Sequence, residues 1–177
     1  MNKSFIKNQL KGFNAKLITE SIFRESDSYE TYPFGYESSF SRLIKILDKN
    51  DKSETCIQLR NMPDLLVLDS KDKKVFLVEC KYRNAEQLSN VRLGKSNLEI
   101  YKKYWNGCVI VVIVPLENLL YAQWVKNLNT DNRVTGDNVY FNLEKDFEPF
   151  INIFTKIDQK IIDKYKTFIR TISNKKD

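Results

Sequence analysis

The chain has 177 residues, 42% of them hydrophobic, with only five glycines and four prolines; this suits one domain with a sizeable core and excludes a disordered chain. Lys and Arg outnumber Asp and Glu by 29 to 23, and the net charge of +6 permits a polyanionic partner without requiring one. Histidine is absent, which excludes His-based triads, His general bases and His-ligated zinc, and leaves hydrolysis to carboxylates, Lys, Tyr, Ser or a hard metal ion.

Apolar positions Ile6, Leu10, Phe13 and Leu17 recur at helical spacing and predict a helix over residues 5–23, despite Gly12. Residues 29–36 read as a short aromatic strand ending at Pro33–Gly35. Ser38 or Ser39 is placed to cap a second helix, with Phe40, Leu43, Ile44 and Leu47 as its stripe, and residues 48–54 form a polar loop. Leu65–Leu68 and Val75–Val78 read as the two strands of a hairpin closed by Ser70–Lys73. A polar connection over residues 83–94 leads to a helix from Asn97 to Trp105, with Ser96 as its cap. Cys108–Val114 is a buried strand. Residues 118–128 are expected to be helical, Val139–Phe141 a short strand, and Pro149–Ile172 one long amphipathic helix.

Together these elements predict a single α/β domain spanning residues 1–177, a central mixed sheet flanked by helices, with a core over about 12–115 and a helical extension over 116–177. No apolar run approaches the ~20 residues of a membrane span, and MNKSFIKNQLKGF lacks a signal-peptide core, so a cytoplasmic protein without membrane contact is expected. Cys56, Cys80 and Cys108 each stand in an apolar, strand-like run, as small buried hydrophobes of a reducing compartment.

The chemistry concentrates in Met62–Arg83, MPDLLVLDSKDKKVFLVECKYR. Glu79 and Lys81 stand two apart on a strand, so both side chains leave one face. A turn centred between Lys71 and Asp72 pairs residues whose numbers sum to 143, which sets Asp64 across from Glu79, with Cβ atoms roughly 5 Å apart. Two carboxylates this close repel, and a divalent cation between them relieves the repulsion. Oxygen ligands without His or Cys favour Mg²⁺ or Mn²⁺. Cys80 points to the opposite face and offers only its backbone carbonyl, while Lys81 is placed to position or deprotonate a water and to stabilise charge. The competing reading is a plain salt bridge from Lys81 to Glu79 or Asp64. Glu20, one turn beyond Leu17, extends the first helix's stripe toward the sheet and is a fourth candidate; its alternative is a solvated glutamate.

These residues resemble the PD-(D/E)XK nuclease superfamily: Pro63–Asp64 stand where its PD lies, and Glu79–Cys80–Lys81 where its (D/E)XK lies, in a similar order of elements from Gly12 to Pro115. The resemblance implies a restriction-endonuclease-like core and Mg²⁺-dependent hydrolysis of DNA, with Asp64 and Glu79 as ligands and Lys81 aiding the water. Glu20 matches the acid many members carry on the first helix, able to act through a water. RecB-like and archaeal Holliday-junction-resolvase-like branches often place a Gln, then a Tyr four residues later, on the helix after the motif; Asn97 and Tyr101 hold that spacing with the Gln replaced. Resolvase-like members act as homodimers, and the long C-terminal helix would offer an apolar surface for one. Arg83, Lys95, Lys102 and Lys103, with Tyr101, are the candidate DNA contacts, though the lysines equally suit a solvated helix face. The alternative function is a non-catalytic nucleic-acid-binding or assembly subunit that keeps the fold.

Overall fold

A computed structural model describes residues 3–36, 52–83, 91–114 and 120–173. Helix α1 (Lys3–Glu25) leads into strand β1 (Tyr29–Pro33), short helix α2 (Glu54–Arg60), and strands β2 (Leu65–Asp69), β3 (Lys74–Tyr82) and β4 (Val91–Gly94). Helix α3 (Lys95–Tyr104) and strands β5 (Cys108–Ile113), β6 (Leu120–Trp124), β7 (Val134–Thr135), β8 (Asn138–Phe141) and β9 (Glu148–Pro149) follow, and helix α4 (Gln159–Ser173) ends the described chain. Among these residues the central sheet runs β1-β2-β3-β5-β6-β9, mixed because β3 and β5 are parallel while the other pairs are antiparallel. A smaller sheet, β4-β8-β7, stands beside it. The protein is thus mixed α/β with helices flanking a mixed central sheet. No described helix is long and apolar enough to cross a membrane.

The sheet divides two cores by strand alternation. Val109, Val111 and Ile113 of β5 and Phe76, Val78 and Cys80 of β3 pack with Ala15, Ile18, Ile22 and Phe23 of α1, and with Phe150, Phe154, Ile157 and Ile162. Cys108, Ile110 and Val112 face the other way, onto Leu98 and Tyr101 of α3 and onto Val91, Leu93, Val139 and Phe141 of the small sheet. Each fully buried aliphatic or aromatic side chain here contributes about 1.5–3 kcal/mol of transfer free energy. By the same alternation Glu79 and Lys81 belong to the α3 face, opposite α1.

The β2–β3 hairpin has the expected register: Leu65 pairs with Val78 and Val67 with Phe76. Several expectations need correction. Residues 120–124 form a strand, not a helix, and a 3₁₀ turn follows at Val125–Asn127. Tyr121 and Trp124 are good strand formers, and β6 covers the edge of β5 that would otherwise be bare. The expected helix over 149–172 is broken. Phe150–Ile153 make one turn, Lys156 is drawn to Asp69 and Asp72 at 2.7 and 2.8 Å, and the helix restarts after Asp158, whose carboxylate accepts from Lys160 N at 2.8 Å. Phe154, Ile157 and Ile162 are buried in the α1 core, so this segment is part of the domain's own packing.

Other differences are local. Residues 91–94 are a strand within what reads as a polar connection, and α3 begins directly from it, with Gly94 rather than Ser96 at the cap and Lys95 N donating to Asp137 O at 2.7 Å. Cys56 sits half-buried on α2, whose N-terminus Ser53 caps, whereas Cys80 and Cys108 are buried in strands. Leu17 is 48% exposed, because the buried stripe of α1 runs through Ala15, Ile18, Thr19 and Ile22 instead. The expected helix around Phe40–Leu47 lies outside the described residues.

Candidate active site

The site forms where β2 leaves β3. Their pairing stops at Leu65–Val78, one step short of Asp64. The main-chain carbonyl of Asp64 accepts from Phe34 N at 3.0 Å and Gly35 N at 3.3 Å, so the end of β1 fixes its position. Its carboxylate then takes the place of the missing strand: Oδ2 accepts from Cys80 N at 2.8 Å. Because the N–H and C=O of one strand residue point to the same side, the Cys80 carbonyl is directed into this gap as well.

Glu79, only 6% exposed, lies next along β3. Lys81 Nζ donates to Glu79 Oε1. From α3, the buried Tyr101 hydroxyl faces Glu79. Burial, and then the charge of Glu79, push the Asp64 carboxyl up to about 7; the Cys80 amide, Lys81 and Lys16 oppose that rise without cancelling it. Burial works against the charge of Lys81, but Glu79 and Asp64 outweigh it and hold the ammonium above its ordinary range. In this arrangement the carboxylates favour the charged form of Lys81. Burial and the charge of Glu79 likewise raise the Tyr101 phenol, making it a donor only. The thiols of Cys80 and Cys108 are pushed up by burial and stay neutral.

The structure thus brings Asp64, Glu79, Lys81 and Tyr101 together, with the Cys80 carbonyl. It treats Glu20 differently: Arg24, one turn on, holds its carboxylate at 2.6 Å. Among the described residues no three His, Cys, Asp or Glu side chains are grouped to hold a metal ion. Glu20 stands beside the buried stripe of α1 and not within it. Lys16, which the sequence reading passed over, sits one turn before Glu20 and acts electrostatically on Asp64. Its signal was available only as a cation four residues before a candidate acid.

The candidate DNA contacts also separate. Tyr101 is buried on Glu79 and presents no surface. Lys103 pairs with Glu54 at 2.8 Å, and Tyr104 donates to the same carboxylate, so this face of α3 is tied to α2. Asn97 is exposed near Gly94. Lys95 and Lys102 are half-buried. Arg83, two residues beyond Lys81, donates to Tyr82 O at 2.7 Å and Arg92 O at 2.6 Å, linking the central sheet to the small one.

The buried carboxylate of Glu79 and the half-buried one of Asp64, the latter resisting ionisation, with a backbone carbonyl and an ammonium, define an oxygen-lined site short of positive charge. Comparison of the sequence with protein-family models and with curated proteins returns no match.

Proposed function

We propose that the protein is a divalent-metal-dependent nuclease that hydrolyses DNA phosphodiesters, with a restriction-endonuclease-like core, as its PD…ExK resemblance implies. The observation that carries this reading is the convergence of Asp64, Glu79, Lys81 and the Cys80 backbone at the open end of the hairpin, where desolvation first and the Glu79 charge second leave the Asp64 carboxyl undercompensated. A hard cation would make good that deficit. Asp64, Glu79 and the Cys80 carbonyl would hold Mg²⁺, or Mn²⁺ in its place, and the ion would supply charge neutralisation and Lewis acidity at the phosphate. Tyr101 orients Glu79. Lys81, protonated, offsets negative charge on the phosphoryl oxygens as it develops.

The test is incubation with supercoiled, branched and single-stranded DNA plus Mg²⁺. Cleavage by the wild type that vanishes in Asp64→Asn supports the proposal; equal cleavage by both removes it. A second reading, a non-catalytic nucleic-acid-binding subunit, draws on the pairing of Glu79 with Lys81 and of Glu20 with Arg24, which satisfies charge without an ion. A Mg²⁺ titration with no heat, alongside intact DNA binding, would favour that subunit.

A further inference from the structure

The line of charge on β3 continues one step beyond Lys81. Arg83 N donates to Ile113 O at 2.9 Å, so the pairing with β5 runs on through it. Alternation then puts its side chain on the face of Glu79 and Lys81, about 7 Å past Lys81 along the backbone. The guanidinium is pinned: Nη1 donates to Tyr82 O at 2.7 Å and Nη2 to Arg92 O at 2.6 Å. Both acceptors are neutral carbonyls. Nε is shut away from water and has no acceptor among the described residues. No salt bridge among the described residues involves Arg83. Burial, and then the positive charge of Arg92, work against its ionisation, and no acid among the described residues offsets either. Lys81 differs, for it lies on Glu79, and the charge of Arg83 is felt there as well. A half-buried cation held without an acid is costly, since carbonyls solvate a charge without neutralising it. Joining the two sheets needs only a neutral donor, so the charge of Arg83 is surplus to that task.

We propose that Arg83 holds the backbone phosphate adjoining the one at the Asp64–Glu79 centre. The proposal rests on the nuclease reading for the identity of the anion. Along one face of β3 the charges run from Glu79, through a Lys81 that Glu79 neutralises, to an Arg83 that nothing described neutralises. A polynucleotide supplies two anions on one chain: the phosphate to be cleaved goes to the carboxylate end, where a metal ion would sit, and its neighbour goes to the next cation on that face. The two carbonyls fix the plane of the guanidinium beforehand, so little side-chain freedom is lost when the phosphate arrives.

Anisotropy of labelled single-stranded DNA, measured in EDTA, tests this without turnover. Arg83→Met removes the charge, and Arg83→Lys keeps the charge without the planar fork. Arg83→Met should weaken binding about 5–10-fold per folded molecule and lower the salt-dependence slope by about one, whereas Arg83→Lys should keep the wild-type slope. A residue that only links the sheets would lose its role in both variants alike and leave the slope where it was. Wild-type affinity in Arg83→Met, an equal loss in both variants with an unchanged slope, or no DNA binding by the wild type overturns the proposal. Cleavage then places the contact. A neutral methylphosphonate next to the cleaved phosphate should slow the wild type about as much as Arg83→Met slows cleavage of native DNA, and should slow Arg83→Met little further. An equal penalty in both proteins overturns the proposal. The nuclease reading fails separately: binding that depends on the charge of Arg83 but never leads to Mg²⁺-dependent cleavage keeps this contact and removes the nuclease. Cleavage with wild-type DNA affinity in Arg83→Met does the reverse.

Discussion

At the turn of the β2–β3 hairpin, Asp69 accepts from Lys71 N at 3.0 Å, from Asp72 N at 2.9 Å, and from Lys156 Nζ on both oxygens at 2.7 and 2.8 Å. At the open end, Asp64 accepts from the Cys80 amide, and Lys81 is spent on Glu79. Burial raises both aspartates. At Asp69 the lysine and amides outweigh it and hold the carboxyl below its usual range, whereas at Asp64 the neighbouring Glu79 adds to it and the carboxyl rises to about 7. The same residue types therefore make a closed structural ion cluster at one end of two strands and an undercompensated one at the other. A fold has no reason to keep the second kind unless something else completes it.

The largest effect expected from this contrast is on catalysis. Asp64→Asn or Glu79→Gln should lower Mg²⁺-dependent cleavage by roughly 10³-fold, since each removes several kcal/mol of charge stabilisation at the phosphate. Asp64→Asn should not lower the melting temperature in EDTA, because Asn relieves the carboxylate repulsion, whereas Glu79→Gln takes the partner from Lys81 and is read by cleavage alone. Asp69→Asn should do the opposite: cleavage per folded molecule unchanged, but a melting temperature several degrees lower as Lys156 loses its partner. Melting curves and cleavage rates on the three variants decide this. A less stable Asp64→Asn, or an inactive but stable Asp69→Asn, would erase the difference between the two ends.

The pH dependence should also split. Asp64 has a raised carboxyl in the folded chain, so its contribution to stability is full below about 4 and is lost as pH rises through about 7. Asp69, held low, contributes above its ordinary value of 3.8 and loses that contribution as pH falls. In EDTA, Asp64→Asn should flatten the decline in melting temperature between about pH 4 and 7, and Mg²⁺ should do the same for the wild type at the upper end. Asp69→Asn should instead flatten the decline on the acid side. A wild type whose stability does not fall between pH 4 and 7 would show that Asp64 is not short of charge.

Much of the open end was legible because it is local. Hairpin register follows from where the polar turn lies, and a period of two then fixes that Glu79 and Lys81 share a face and that Asp64 arrives beside them. What failed depended on distant partners. Residues 120–124 have a pattern that suits a helix or a buried strand equally, and the bare edge of β5 decides between them. Lys156 breaks the C-terminal helix because two aspartates of the hairpin claim it, which no spacing around residue 156 could reveal. Leu17 falls on the exposed side of α1 because apolar residues earlier in the helix suggest a stripe shifted from the one that packs, whereas the Glu20 side chain is only 14% exposed and is held by Arg24.

The smallest effect concerns Tyr101, a candidate DNA contact that is buried against Glu79 instead. Its hydroxyl touches Glu79 from the α3 side and reaches no surface, so it acts through Glu79. Tyr101→Phe keeps the ring and the packing of α3 and removes only that donor. An outer hydrogen bond of this kind typically sets ligand orientation at 10–100-fold in metal affinity. The variant should therefore need about 10-fold more Mg²⁺ for half-maximal cleavage and recover nearly full kcat at saturation, with binding of DNA in EDTA unchanged. A purely structural role would lower the melting temperature and leave the Mg²⁺ dependence where it was. A base-stacking role would weaken DNA binding in EDTA. Only a shift confined to the metal requirement fits a tyrosine that completes the open end of the hairpin as the amides of Lys71 and Asp72 complete the closed one.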